Sequence, residues 1–118
     1  MTHVTFETAK RLKEAGFPRP NPVYGQAWFS KYGFVDITAP IQISRKRKLC
    51  TSVRDGSIFA PTATDILAHL PGWALYYHEG VWCCALVEDE FVIAEFRSDN
   101  PAEAAAEAFL LEQSHAKK

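Results

Sequence analysis

The chain has little of what would staple, anchor or metallate a fold. It holds 3 cysteines in 118 residues and contains no Cys-x-x-Cys pair, so the spacing of a zinc site is missing. Two of the three, Cys83 and Cys84, are adjacent. Neighbours on a strand point to opposite faces, and a bridge between them would be strained. The expectation is therefore buried, reduced thiols in a cytoplasmic protein. No apolar run reaches the roughly 20 residues of a membrane helix, so no membrane partner is expected. The start, Met1-Thr2-His3-Val4-Thr5, lacks the basic-then-apolar pattern of a secretory signal. The 6 glycines are scattered and form no phosphate-cradling loop. His3, His69, His78 and His115 are never paired at the helical spacing of two ligands. No metal and no cofactor are expected.

What is present is globular. Apolar residues make up 47% of the chain, with 8 Phe, 4 Tyr and 3 Trp, too hydrophobic for a disordered segment. The length suits a single domain over 1–118, able to bury roughly two thirds of its unfolded surface. Charge is uneven. Residues 1–60 hold ten Lys and Arg against four Asp and Glu, and residues 61–118 hold three against ten, giving +6 and −7. Either the surface is bipolar and docks on something charged, or the halves interleave and their charges neighbour one another.

The helices are signposted at their ends. Thr5 is an N-cap. Phe6, Ala9 and Leu12 follow at helical spacing, and Gly16-Phe17-Pro18 is a stop, with Gly16 left-handed and Phe17 folding back on Leu12. Pro18, Pro20 and Pro22 make a stiff extended connector. Thr62 and Asp65 form a capping box for a short helix through Ile66, Leu67 and Leu70, ended by Pro71-Gly72. Asn100, Pro101 and Glu103 open an alanine-rich final helix, with Ala104, Ala105, Ala108, Leu111 and Phe109 as its packing face.

Between the helices the pattern is β. Residues 23–30, 34–38, 41–44 and 49–53 read as short strands, with turns at Tyr32-Gly33 and Asp55-Gly56. Residues 73–77, 81–87 and 91–96 read as a three-stranded meander. Its middle strand, Val81-Trp82-Cys83-Cys84-Ala85-Leu86-Val87, is apolar on both faces. It should be central, with helices on one side and either the 23–60 strands or a partner chain on the other.

Residues that could carry chemistry have plainer explanations. His78 lies near Cys83 if Glu79-Gly80 is a two-residue turn, and away from it if the loop has three residues. A nucleophilic cysteine wants an electropositive setting and an orienting third group, whereas Glu79, Glu88 and Asp89 are acidic. Glu88, Asp89 and Glu90 read as a solvated hairpin turn. No catalytic residue is assigned, and an enzyme ranks third among the functional classes. The basic run Arg45, Lys46, Arg47 and Lys48, with Arg54 nearby, is the candidate nucleic-acid or partner contact. Tyr24, Trp28, Phe29 and Tyr32 would offer stacking surfaces if exposed. The same run would also protect a sheet edge from aggregation.

Three blocks carry a resemblance. Residues 5–17, Thr-Phe-Glu-Thr-Ala-Lys-Arg-Leu-Lys-Glu-Ala-Gly-Phe, resemble the opening of a family of small proteins typically encoded by phages, prophages and bacteria of the Bacteroidetes group. Ala60-Pro61-Thr62-Ala63-Thr64-Asp65-Ile66-Leu67, with Phe59 before it, is similar to that family's central helix start. Residues 100–108 resemble its closing alanine-rich helix. Residues 18–58 and the Cys83-Cys84 pair fall outside the resemblance. It implies a phage or mobile-element accessory protein and brings no activity or site residue with it.

These readings combine into an α+β fold: an antiparallel or mixed sheet with an N-terminal helix, a short central helix and a C-terminal helix. The expected function is a non-enzymatic accessory protein acting by protein interaction, as a homodimer or on a host protein. The alternative is a small nucleic-acid-binding protein using residues 45–48.

Overall fold

The structure is a computed structural model, and it describes residues 2–21, 26–37, 42–43, 49–50 and 56–116. Helix α1 spans Phe6–Glu14, α2 Ala63–Leu67 and α3 Pro101–Ala116. Strands β1 (Ala27–Phe29), β2 (Val35–Ile37) and β5 (Ile58–Phe59) form one antiparallel sheet in the order β2-β1-β5. Strands β3 (Gln42–Ile43) and β4 (Leu49–Cys50) pair antiparallel. Strands β6 (Trp73–His78), β7 (Val81–Glu88) and β8 (Phe91–Ser98) form an up-and-down antiparallel sheet with β7 in the centre. The fold is α+β, and its described sheets are antiparallel.

The capping expectations hold for α1 and α2. The Thr8 N–H donates to Thr5 Oγ1 at 3.3 Å. At the other end, Phe17 N–H reaches the Leu12 carbonyl at 2.9 Å and Gly16 N–H the Lys13 carbonyl at 3.1 Å. These are the two bonds of a Schellman stop, made accessible by the positive φ of Gly16. The box at α2 closes both ways, with Thr62 N–H on Asp65 Oδ2 at 2.9 Å and Asp65 N–H on Thr62 Oγ1 at 3.4 Å.

Helix α3 departs from the expected capping. Asn100 Oδ1 does accept from Ala102 N–H at 2.9 Å. Glu103, however, accepts from the Thr5 N–H at 3.0 Å, and the Asn100 N–H goes to Ser98 Oγ at 3.1 Å. The residue expected to close its own cap thus tethers the start of α1. Asn100 Nδ2 adds a bond to the His3 carbonyl at 3.1 Å. A strand-to-helix turn is in this way welded to the N-terminal segment.

The core lies between the sheet β6-β7-β8 and the three helices. Residues paired across strands share a face, so the register puts Trp73, Leu75, Cys84, Leu86, Ala94 and Phe96 together. All six belong to or pack against the cluster that contains Ala102, Ala104, Ala105, Ala106, Ala108 and Phe109 of α3. Alanine keeps the helix backbone close to the sheet and is the best helix former. Ala102 and Ala106 are buried along with Ala104, Ala105, Ala108 and Phe109 of the expected face, while Leu111 is half-buried; α2 packs on α3 in addition to the sheet. A helix buried on several sides loses its one-sided pattern. Trp73 Nε1 donates to Glu112 Oε1 at 2.9 Å, giving its one polar atom a partner.

Strand β5 carries no signal in the sequence, since it has two residues and exists only by pairing with β1. The loop ambiguity at residues 78–81 resolves to two residues: His78 opposes Val81, and Glu79 and Gly80 both have positive φ, as a type I′ turn requires. The second hairpin repeats this with Asp89 and Glu90, so Glu88 belongs to β7.

Candidate functional site

The face of β6-β7-β8 turned away from α3 is the candidate site. None of the described strands β1–β5 packs across it to any substantial extent. By register it presents Ala74, Tyr76 and His78 from β6, Val81, Cys83 and Ala85 from β7, and Glu95 and Arg97 from β8. The small residues of the central strand are nonetheless hidden, with Cys83 at 1% and Ala85 at 0% exposure. Tyr76 and Arg97 sit opposite Cys83 on its two sides, and Glu95 opposite Ala85. Larger side chains on the outer strands thus roof the small ones between them. The apolar character of β7 on this side does not by itself call for a covering chain.

The roof is polar. Arg97 Nε donates to Glu95 Oε1 at 2.6 Å. Tyr76 and Cys83 flank Glu95 closely enough for the three groups to influence one another's charge. The hydrogen bond from Arg97 holds the Glu95 carboxyl below its usual range, and the same contact holds Arg97 charged. Desolvation against the sheet, then the Glu95 carboxylate, raises the Tyr76 phenol. Cys84 points into the core on the other face, and burial pushes its thiol up to about 11. At neutral pH it is a protonated, inert thiol.

The two edges of this sheet differ. Strand β8 has a register irregularity opposite Leu86 and Val87 that leaves Ile93 without a partner, and it bears Glu95 and Arg97. Strand β6 reads Trp-Ala-Leu-Tyr-Tyr-His, with no Lys, Arg, Asp, Glu or proline, and is in unbroken register with β7. Its outer edge pairs with no described strand, and Tyr76 and Tyr77 are 39% and 61% exposed. At the far hairpin, Val87, Phe91, Val92 and Ile93 add an exposed apolar group beside the acids Glu88, Asp89 and Glu90.

The residues singled out from sequence fare unequally. Arg45, Lys46, Arg47, Lys48 and Arg54 lie outside the described residues, as does Tyr24. Trp28 and Phe29, considered as stacking surfaces, are buried at 1% and 4% exposure and are core; Tyr32 is exposed. His78 is exposed at the end of β6, with Nε2 3.7 Å from Glu79 Oε1. No group of three or more His, Cys, Asp or Glu capable of holding a metal occurs among the described residues. No described helix is long and apolar enough to cross a membrane. Among the described residues one ion pair crosses the two oppositely charged halves, Arg11 Nη1 to Glu107 Oε1 at 2.9 Å. Tyr76, Glu95 and Arg97 are not among the residues that the sequence singles out. The Glu-x-Arg spacing on β8 was the available signal, because period 2 places both side chains on one face.

Comparison with protein-family models, with characterised proteins and with solved structures finds no match for this chain.

Proposed function

We propose that the chain is a non-enzymatic interaction protein, of the phage or mobile-element accessory kind that its sequence resembles, and that it pairs with a second copy along β6. The observation that carries this reading is the bare β6 edge. An exposed edge is a template for strand addition, and monomeric proteins blunt theirs with charge, proline or bulges. Strand β8 has such devices and β6 has none. Two β6 strands meeting antiparallel about a two-fold axis form an isologous contact and extend the sheet to twice its strand number. Backbone hydrogen bonds then supply affinity, and the Tyr76 and Tyr77 rings supply contact area.

Sedimentation velocity on the full chain tests this. The expected result is a dimer at micromolar concentration, converted to monomer by Tyr77→Lys or Tyr76→Lys with an unchanged circular-dichroism spectrum. A chain that stays monomeric at ~100 μM, near a −5 kcal/mol association limit, overturns the proposal.

A further inference from the structure

A separate feature is the turn that joins β1 to β2. Ser30 closes it. Its N–H donates to the Phe34 carbonyl at 2.8 Å, and its carbonyl accepts from the Gly33 N–H at 2.9 Å. Its Oγ accepts from the N–H groups of Tyr32 and Phe34 at 3.3 and 3.1 Å. Gly33 has a φ of +90° and lies so close on the Phe6 ring that an added Cβ would stand 3.4 Å from it. The turn is braced from within and by Phe6, yet it holds two rings out in water. Tyr32 is 75% exposed and Phe34 72%. Large rings two residues apart on one turn form a patch rather than a scattered exposure.

The surroundings choose the occupant. Lys31 Nζ stands 5.1 Å from the centre of the Tyr32 ring, over one face, and the exposure of Tyr32 leaves the other face open. Lys31 has no carboxylate partner among the described residues. Lys10 lies over the Phe6 ring, 4.7 Å from its centre, and is ion-paired with Glu7 at 3.1 Å. The turn belongs to residues 1–60, which carry ten Lys and Arg against four Asp and Glu. Phe91 is as exposed, at 73%, but it stands beside Glu88, Asp89 and Glu90, which repel phosphate. Among the other rings weighed for stacking, Trp28 is buried, with the Arg19 guanidinium carbon 4.8 Å from its ring centre. Phe29 is packed against His3 and Phe6.

We propose that this turn binds single-stranded nucleic acid. One base stacks on the open face of Tyr32, a neighbouring base stacks on Phe34, and Lys31 meets the phosphate backbone. The strand has to be single, because the base faces of a duplex are already stacked on neighbouring pairs. Every base has a π-face, so the contact tolerates sequence. Stacking and charge do not distinguish the sugar, so RNA and DNA strands bind alike.

The test is fluorescence anisotropy of the full chain with labelled oligo-dT and oligo-rU of ~12 nucleotides at ~50 mM salt. The expected result is saturable binding of both, with a Kd of ~10–100 μM, and about ten-fold weaker binding of a duplex of the same length. Tyr32→Ala and Phe34→Ala should each weaken binding about ten-fold with an unchanged melting temperature, because both side chains are exposed. Lys31→Gln should lower the salt dependence by about one phosphate contact. Phe34→Leu keeps an apolar side chain without a ring and should lose as much affinity as Phe34→Ala. Absence of saturable binding, equal binding of the duplex, or full affinity in Phe34→Leu overturns the proposal. So does binding that survives loss of both rings and falls only when Arg45, Lys46, Arg47 and Lys48 become Gln, which would place the contact on the basic run. The same readouts apply in a Tyr77→Lys background, so they do not depend on the dimer.

Discussion

The sheet β6-β7-β8 joins strands of six, eight and eight residues through two two-residue turns. The sheet β2-β1-β5 joins strands of three, three and two, and β5 reaches β1 only after the chain has travelled from Ile37 to Ile58. The first sheet is local, so its register follows from its turns and its hydrophobic alternation. The second must close a long loop before any pairing rewards it. Side chains supply what its few backbone pairs cannot. Trp28 lies against Phe59, with ring centroids 5.2 Å apart, and Phe29 meets the rings of Phe6 and His3. Long strands here are held by pairing, short ones by buried aromatic rings.

The strongest way to break this contrast is Trp28→Ala. Removing a fully buried indole costs about 3–5 kcal/mol, and it also removes the platform under Arg19. Urea denaturation should show that loss, and a smaller one for Trp82→Ala, since Trp82 is only half-buried. Equal losses would mean that the short sheet does not depend on its buried ring. Next comes Asn100→Ala, at the junction of the two regions. It removes the α3 cap and the bond to the His3 carbonyl together, and should cost ~1–2 kcal/mol. A loss below ~0.5 kcal/mol would show that the weld between the N-terminal segment and α3 carries little.

The local sheet should be improvable at its turns. Asp89 and Glu90 both have positive φ, a conformation costly for residues with a Cβ. Asp89→Asn with Glu90→Gly installs the preferred pair of a type I′ turn. It should raise stability by about 1 kcal/mol, read as a higher urea midpoint at constant slope. No gain would mean that the turn is already relaxed.

The same contrast explains what was legible in the sequence. Thr5, Gly16, Thr62 and Asn100 announce helix ends because caps are local chemistry. The meander was legible from alternation and turn residues. Strand β5 was not, because two residues have no periodicity and their pairing partner lies far away in sequence. Glu103 was placed correctly at the third helical position, yet its partner is Thr5, chosen by tertiary packing rather than by helix geometry. On the open face, Cys83 was legible as buried, but Tyr76, Glu95 and Arg97 could be assigned to its roof only once the register was known.

Glu95 gives the finest comparison, between the open face of the sheet and the face under α3. Its carboxyl is held below the usual carboxylate range, first by the hydrogen bond from Arg97. A depressed folded value means that the pairing stabilises the fold above the unfolded-state value of about 4.3, and that this contribution is lost as pH falls through the folded value. The melting temperature of the native chain should therefore exceed that of Glu95→Gln above ~pH 5, and the two curves should converge below the carboxylate range. Because the Arg97 side chain is 67% exposed, the difference should be small and should shrink in high salt. Face-swapped controls sharpen this. Cys84→Ala, in the dry core, should lower stability by a similar amount across the acidic range, since its neutral thiol does not titrate there. A Glu95 effect that survived below pH 3, or was indifferent to salt, would mean that the residue stabilises the sheet by packing over Ala85 rather than by its charge.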